Sequence, residues 1–166
     1  MKAATALICM LVPLAPAAAT TGTKEMPIPE SCPVTRATPE TQFKPSSVPR
    51  GLAPESMVFW YGSDSLYTAL DPSGRWRGIA SPAGTRNKSF WFRNNAEWLS
   101  ERPYQLKLTY RQLDTTGPMY SGSEVTNAII GKEVAMLTML ELPTRGCWEV
   151  TASYKNAHVS FVTWVD

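Results

Sequence analysis

The sequence is poor in the residues from which most active sites are built. It holds one histidine, His158, and three cysteines among 166 residues. An acyl-transfer triad needs a histidine base beside its nucleophile, and structural zinc needs four ligands at short paired spacings. A glycine-rich phosphate loop, an HExxH motif and a dinucleotide fingerprint are also missing. We therefore expect no catalytic residue, no cofactor and no metal site, with His158 as a structural histidine.

An excess of charge of one sign is missing as well. Lys and Arg number 16, Asp and Glu number 14, and the net charge is +2. The basic residues are scattered, and the one tight pair, Arg75 and Arg77 around Trp76, is typical of a solvated turn. Nucleic-acid binding needs a basic patch or stripe, so we expect no nucleic-acid partner. Carboxylate pairs for a small hydrolase can be drawn, but their separation in space decides that chemistry.

Long apolar runs are absent except at the amino terminus. There Lys2 precedes an uncharged apolar stretch that ends in small residues at Ala19. This order is typical of a secretory signal peptide. A transmembrane helix needs about 20 apolar residues, and Pro13 and Pro16 interrupt a shorter run. The sequence thus predicts a signal peptide at 1–19, a secreted or periplasmic protein, and no transmembrane segment in the mature chain.

The cysteines that remain after cleavage are Cys32 and Cys147. In an oxidising compartment two cysteines most simply form one disulfide. Alternation along the strand that begins at Cys147 gives one apolar face, formed by Trp148, Val150, Ala152 and Tyr154. Cys147 belongs to the opposite face, so we expect Cys32 to reach it from outside the core. That position differs from the inter-sheet bridge of antibody domains, whose cysteines lie inside.

The mature chain divides into an arm and a domain. Residues 20–54 are rich in proline and contain almost no large apolar side chains. Such a stretch cannot fill a core, and we interpret it as an extended arm or linker that the disulfide fixes at Cys32. Residues 55–166 are then a single domain, which is long enough to bury one core.

Within the domain, apolar runs alternate with turn signals and no long helical periodicity occurs. Strands are predicted at SMVFWYG, SLYTAL, RWRGIA, KSFWF, YQLKLTYRQL and VAMLTMLEL, with a type I turn at DPSG. The segments SPAGTRN and DTTGPMYSGSE are predicted to be loops, and NNAEWLSERP a loop or one helical turn. In YQLKLTYRQL the alternation turns Leu106, Leu108 and Tyr110 inward.

The chain closes on a predicted β-hairpin. Two strands, 147–154 and 158–165, flank the short turn KNA, where Asn156 can take a positive φ. With this hairpin the domain has about seven or eight strands at turn-bounded intervals, which is typical of a β-sandwich. The predicted fold is therefore all-β, an immunoglobulin-like antiparallel sandwich with an extended N-terminal arm.

Several motifs occur in an order that resembles a group of small exported bacterial proteins. They are CPVT at 32–35, WYGSDSLYTAL at 60–70, KSFWF at 88–92, AMLTMLELPTRGCWEVTASY at 135–154 and VSFVTWV at 159–165. More loosely, the ending resembles the last two strands of immunoglobulin-like modules. The resemblance implies a secreted immunoglobulin-like sandwich and brings no activity, cofactor or catalytic residue.

Aromatic residues are the abundant class that could bind a ligand. The chain has six tryptophans, and the ordinary role of such residues is core packing. Four aromatics at or beside predicted turns are the candidates for a face that binds glycan rings or a partner peptide: Trp60, Tyr61, Trp76 and Trp98. We predict an exported, non-enzymatic binding or structural module. The alternative is a carbohydrate-binding or cell-wall-associated module that uses these aromatics.

Overall fold

A computed structural model describes residues 25–46, 57–95, 97–130 and 133–166. The predicted signal peptide and the beginning and end of the predicted arm lie outside these residues. Ten strands and one short 3-10 helix, Glu97–Ser100, make up the regular structure of the described chain. None of the helices in that part of the chain has the length and apolar character needed to cross a membrane. The strands are β1 Phe59–Ser63, β2 Leu66–Leu70, β3 Ile79–Ser81, β4 Gly84–Phe92, β5 Lys107–Gln112, β6 Tyr120–Ser121, β7 Thr126–Ile130, β8 Glu133–Leu142, β9 Gly146–Tyr154 and β10 Ala157–Val165.

The strands form two antiparallel sheets. The larger sheet has the order β1-β2-β4-β8-β7, with β3 also paired to β4, and the smaller sheet has the order β10-β9-β5-β6. The series β2-β4-β8-β7 follows the A-B-E-D order of immunoglobulin domains, and β5-β9-β10 follows C-F-G. This agreement confirms the predicted all-β immunoglobulin-like sandwich. The hairpin partner β1 and the short strands β3 and β6 are additions to that plan.

The core lies between the sheets and is built by the period of two in each strand. Leu106, Leu108 and Tyr110 are buried as predicted, and Val150 of β9 is fully buried opposite them. Because side chains alternate along a strand, every second residue of the long strands joins one cluster. Its members on β4, β8 and β9 include Trp91, Met136, Leu140, Leu142, Trp148, Ala152 and Tyr154.

The disulfide joins the arm to the smaller sheet, which confirms the predicted pairing of the two cysteines. Both are buried, although neither belongs to the core cluster between the sheets. Cys32 and Cys147 are bonded, with their Cα atoms 5.6 Å apart. Beyond this bond the amide of Thr35 donates to the Val162 carbonyl of β10 at 2.8 Å. Farther along, the amide of Phe43 donates to the Trp60 carbonyl of β1, also at 2.8 Å. The arm therefore covers part of one edge of each sheet, where exposed backbone would otherwise invite pairing with another chain.

The segment RWRGIA is not a strand along its length, which corrects the sequence prediction. After β2 the chain leaves the larger sheet, and Arg75 forms a parallel bridge with Trp164 of β10. The Trp76 amide donates to the Trp164 carbonyl, and the Trp164 amide donates to the Gly74 carbonyl. The chain then returns to the larger sheet at β3. We call residues 71–78 the crossover segment; the DPSG turn opens it, with the Gly74 amide bonded to the Asp71 carbonyl at 3.0 Å.

Other segments also differ from the sequence prediction. DTTGPMYSGSE, predicted to be a loop, contains β6, which pairs with Thr109 and Tyr110 of β5. SPAGTRN is a tight hairpin rather than a loop, because Ser81 pairs with Gly84 and leaves a two-residue connection. The TNAII segment, for which no strand was predicted, is β7 and pairs with β8 along its length. In the final hairpin Ala157 pairs with Tyr154, so the loop has two residues. Its positive φ of 53° falls on the first of them, Lys155, and not on Asn156.

Candidate functional site

The central strand of the larger sheet, β4, has a gap along one edge. On one side β4 pairs with β8 continuously over residues 85–91. On the other side it pairs with β3 only as far as Arg86, and with β2 only at Trp91 and Phe92. Among the described residues no strand pairs with this edge over 87–90, because the crossover segment has left for β10. The sheet is therefore open at this point.

The gap leads into a cleft of about 270 Å³ that reaches the space between the sheets. We call it the β4 cleft. The residues that line it come from the end of β2, the crossover segment, β4, β10 and the arm. Phe161, Ser89 and Thr163 are buried and form its floor, whereas Lys88 and Arg77 are exposed and form its rim.

The walls of the β4 cleft are aromatic. The Trp76 ring is half-buried and packs on Phe161, with ring centroids 5.5 Å apart and an interplanar angle of 49°. Phe90 of β4 lines the cleft from the outer side of the sheet and is also half-buried. A partly exposed aromatic wall can accept the apolar face of a ring, because stacked and edge-to-face contacts both gain energy beyond the area they bury.

Three of the residues that line this apolar space are buried and carry hydroxyl groups. Thr68 donates a hydrogen bond to the Phe90 carbonyl at 2.8 Å, and Thr163 donates one to the Gly74 carbonyl at 3.1 Å. Ser89 lies two residues before the core residue Trp91 on β4 and therefore turns inward. It is only 4% exposed, and its hydroxyl makes no hydrogen bond to any other residue that the structure describes. A hydroxyl is both a donor and an acceptor, so Ser89 can bond a ligand in the cleft without breaking a bond to any of those residues.

Most of the charge around the cleft is already neutralised. Arg75 is buried and pairs with Asp166, and a second carboxylate, that of Glu25, lies 3.7 Å away. Arg77 pairs with Glu25 at 2.8 Å and lies 3.6 Å from Asp71. The hydrogen bond that Arg77 donates to Glu25, reinforced by the charge of that carboxylate, raises the pKa of the Arg77 guanidinium. These two arginines therefore hold the arm, the crossover segment and Asp166 together.

Lys88 is the exception in this charge pattern. Its side chain is exposed at the rim of the cleft and forms no ion pair within the described part of the chain. An ammonium group is a compact, strongly hydrated point charge with three donors. The β4 cleft therefore presents a single available cation at its entrance and a hydroxyl at its floor.

The disulfide-anchored arm contributes to the cleft wall. Thr35 lines the cleft, and besides its amide bond to Val162 its hydroxyl accepts a hydrogen bond from the Val162 amide at 3.0 Å. Val34 lies against Gly74, whose φ is +75° and whose added Cβ would come within 2.7 Å of the Val34 side chain. Glycine at 74 is thus required twice, for its conformation and for this close approach. Cys32 fixes the register of this contact.

The four aromatics singled out from the sequence occupy different places. Trp76 lines the β4 cleft. Trp60 packs on the outer face of the larger sheet, edge-on to Phe92 with centroids 5.6 Å apart. Tyr61 lies at the side of the sandwich, where its hydroxyl donates to the Ser160 carbonyl at 3.0 Å. Trp98 is only 4% exposed and is part of the core cluster. The four therefore do not share one binding face.

Sequence reasoning missed the cleft residues contributed by β4. KSFWF was interpreted only as a short buried strand, although Lys88 and Ser89 stand on its two faces. A signal was present, since a serine in the inward register before Trp91 is unusual for a strand that packs against a core. The local pattern cannot show that the neighbouring strand is missing at this point.

Several of the acidic side chains pair with cations. Glu141 is hydrogen-bonded to Arg86 at 2.6 Å, and that bond lowers the pKa of the carboxyl group. Glu149 bonds Arg111 at 2.7 Å. Within the described ranges no three His, Cys, Asp or Glu side chains are grouped as metal ligands would be. Lowered carboxyl pKa values are the opposite of what a general acid requires.

The functional interpretation of the β4 cleft rests on its own geometry. Comparison with protein-family models, with curated proteins and with solved structures finds no match to this chain.

Proposed function

We propose that this chain is an exported, non-enzymatic binding module and that the β4 cleft is its ligand site. The observation that carries the proposal is the gap in the edge of β4, through which an aromatic-walled space opens to solvent. Ligand pockets are typically concave and mostly apolar, with a few polar groups that fix orientation. Trp76 and Phe161 supply the apolar surface, and Ser89 and Lys88 supply the polar groups.

Export is supported by two independent features. The predicted signal peptide at 1–19 has the charged start, the apolar centre and the small residues of a cleavable leader. The bond between Cys32 and Cys147 is typical of proteins that fold in oxidising compartments. The resemblance to small exported bacterial proteins points the same way.

Binding is favoured over catalysis by the state of the acidic groups. The one carboxylate that lines the β4 cleft, among the described residues, is that of Asp71. It already accepts hydrogen bonds from the Ser73 amide and hydroxyl at 2.8 and 2.6 Å. Among the residues that the structure describes, no second carboxylate, which glycoside hydrolysis requires, faces it across the cleft. We therefore assign the cleft to recognition.

The carbohydrate-binding alternative can be stated more narrowly with this geometry. Of the four proposed aromatics, Trp76 is placed to contact a sugar ring, with Phe161 behind it. Because the cleft is small, it would then hold a single sugar residue of a cell-wall glycan. The other three aromatics are not needed for this form of the proposal.

Tryptophan fluorescence tests the proposal directly. The folded protein is titrated with monosaccharides, soluble peptidoglycan fragments and small aromatic acids, and binding near Trp76 is expected to give a saturable change in emission. Trp76→Ala should remove the change, while Trp60→Ala, on the outer face of the sheet, should preserve it. The absence of any saturable change, or a change that survives in Trp76→Ala, would contradict binding in the β4 cleft.

A further inference from the structure

We propose that the ligand of the β4 cleft is a single-ring compound that carries one carboxylate, bound with its ring against Trp76 and its carboxylate at Lys88. This inference rests on the proposed function and gives the ligand a chemical class. Three properties of the cleft carry it, namely its volume, its one available charge and the position of its buried hydroxyl.

Volume limits the ligand to one ring. Pockets for drug-sized ligands measure about 300–1,000 Å³, and the β4 cleft, at about 270 Å³, falls just below that range. The floor is closed by Phe161 and Thr163, which are buried in the core. A ligand of two or more rings would have to leave the second ring outside, over the exposed rim.

Charge selects an anion. Arg75 and Arg77 are held by carboxylates of the protein, so neither is available to a ligand without breaking an ion pair. Of the cations that line the cleft in the described part of the chain, Lys88 is the one without a carboxylate partner, and one cation complements one anionic group. The Asp71 carboxylate accepts hydrogen bonds from Ser73 and lies 3.6 Å from Arg77. A partly desolvated carboxylate beside an ammonium group makes a charge-assisted hydrogen bond, which is about twice as strong as a neutral one.

The buried hydroxyl sets the orientation. Ser89 lies inward on β4 while the adjacent Lys88 points to the outer side. A ring bound between them therefore presents a polar substituent to Ser89 at the floor and its carboxylate to Lys88 at the rim. Because the Ser89 hydroxyl has no hydrogen-bond partner among the described residues, it can donate to a ligand hydroxyl or accept from it without giving up a bond to any of them.

Two sources share this chemistry, an acidic monosaccharide and a hydroxylated aromatic acid. Isothermal titration of the folded, disulfide-bonded protein with glucuronate and with 4-hydroxybenzoate distinguishes them. Each acid has a neutral counterpart of nearly the same shape, the methyl ester of glucuronic acid and 4-hydroxybenzamide. At least one acid is expected to bind about tenfold more tightly than its neutral counterpart at low salt, a difference that added salt reduces. The source of the ligand is the acid that binds.

Lys88→Gln should abolish the preference for the acid while leaving the neutral counterpart's affinity unchanged. Lys107→Gln is the matched control, because Lys107 is exposed on the smaller sheet and forms no ion pair within the described ranges; it should keep the preference. Equal affinity for acid and neutral ligand, or a preference that survives in Lys88→Gln, would overturn the inference and leave the proposed function standing. Failure of both acids to bind would also overturn it, and the fluorescence panel then decides whether neutral ligands still support a binding site.

Discussion

The two central strands of the sandwich, β9 and β4, have the same length and different neighbours. Each is nine residues long. β9 pairs with β10 along its whole length and with β5 over residues 148–153, so both of its edges are closed. β4 is paired continuously on the side of β8, whereas on its other side residues 87–90 pair with no strand among the described residues. One architecture thus holds a sealed layer and an opened layer, and the crossover segment makes the difference.

The two layers also differ in what their side chains do. Trp148, Val150 and Tyr154 of β9 are fully buried in the core. Around the gap in β4 the corresponding space is lined by half-buried Trp76 and by the hydroxyl of Ser89. Close packing gives stability because each buried side chain has contacts on all sides, whereas a cleft forgoes some of those contacts. We therefore expect stability to depend mainly on β9 and ligand binding on β4.

We expect the greatest difference in stability between two tryptophan variants, one in the sealed layer and one beside the gap in the opened layer. Trp148→Ala removes a fully buried ring whose Nε1 donates to the Thr144 carbonyl at 3.1 Å, and should lower the free energy of unfolding by about 3–5 kcal/mol. Trp76→Ala removes a half-buried ring and should lower it by about 1–2 kcal/mol. Urea unfolding measures both values. Equal losses of unfolding free energy would mean that the two layers are equally packed, contrary to the expected difference between β9 and β4.

Removing the disulfide tests how far the opened layer depends on the arm. The bond spans 115 residues, for which the chain-entropy model gives about 4–5 kcal/mol, and measured losses for native disulfides are typically about 2–5 kcal/mol. In Cys32→Ala with Cys147→Ala we expect a loss at the lower end of that range, because the arm keeps its hydrogen bonds to β10.

Hydrogen exchange should locate that loss. The Thr35 amide, at the wall of the β4 cleft, is expected to lose protection in the disulfide-free variant, while the Val150 amide in β9 keeps its protection relative to global unfolding. Equal loss at both amides would show that the disulfide stabilises the whole sandwich uniformly and that the arm has no special relation to the cleft.

A smaller effect should come from the outer face of the larger sheet, next to β4. Tyr67 stacks on Phe92 there, with centroids 5.6 Å apart. Burial, followed by the charges of Glu133 and Asp64, raises the pKa of its hydroxyl to about 12. In the unfolded chain the value is about 10, so the stabilisation is complete below pH 10 and is lost as the pH rises toward 12.

The expected loss from Tyr67 is about 2–3 kcal/mol between pH 9 and pH 12, since one pKa unit corresponds to about 1.4 kcal/mol. Denaturant unfolding across this range measures it, with Tyr67→Phe as the control. Burial also raises the pKa of Tyr110 and Tyr154, so the variant should retain part of the decline. An identical decline in both proteins would mean that Tyr67 is as accessible in the folded state as in the unfolded one.

Local patterns predicted the sealed layer better than the opened one. The alternation at Leu106, Leu108 and Tyr110 and the closing hairpin were sufficient to identify the three long strands of the smaller sheet, β5, β9 and β10, because a period of two reports directly on which side faces the core. The two-residue strand β6 lies in a segment predicted to be a loop. The separation of Cys147 from the core cluster followed from the same alternation. These features depend only on neighbours in sequence.

The structure of the opened layer depends on which strands, distant in sequence, pair with each other. The hydrophobic periodicity of a strand does not predict its pairing partner. RWRGIA has the composition of a strand, yet Arg75 and Trp76 bond to Trp164 of β10. As a result, no described strand pairs with this edge of β4 over residues 87–90. The availability of Lys88 and Ser89 follows from that missing neighbour. Aromatic content alone therefore identified Trp76 among the cleft residues and could not separate it from Trp60, which packs elsewhere.

The smallest expected change in stability is at the floor of the cleft. Ser89→Ala removes a hydroxyl that has no partner among the described residues, so the free energy of unfolding should change by less than about 0.5 kcal/mol. Thr138→Val is the matched control, because Thr138 is buried but does not line the β4 cleft, and its hydroxyl donates to the Ser123 carbonyl at 2.9 Å. Loss of that bond should cost about 0.5–1.5 kcal/mol.

The effects of the two variants on ligand affinity should have the opposite order to their effects on stability. Ser89→Ala is expected to weaken binding of the acid in the β4 cleft by about threefold to tenfold, which is the net value of one hydrogen bond, whereas Thr138→Val, outside the cleft, should alter affinity little. A variant at Ser89 that loses stability and keeps full affinity would mean that this hydroxyl serves the fold. The gap in β4 would then be a packing irregularity of the crossover, and the contrast between β4 and β9 would concern stability alone.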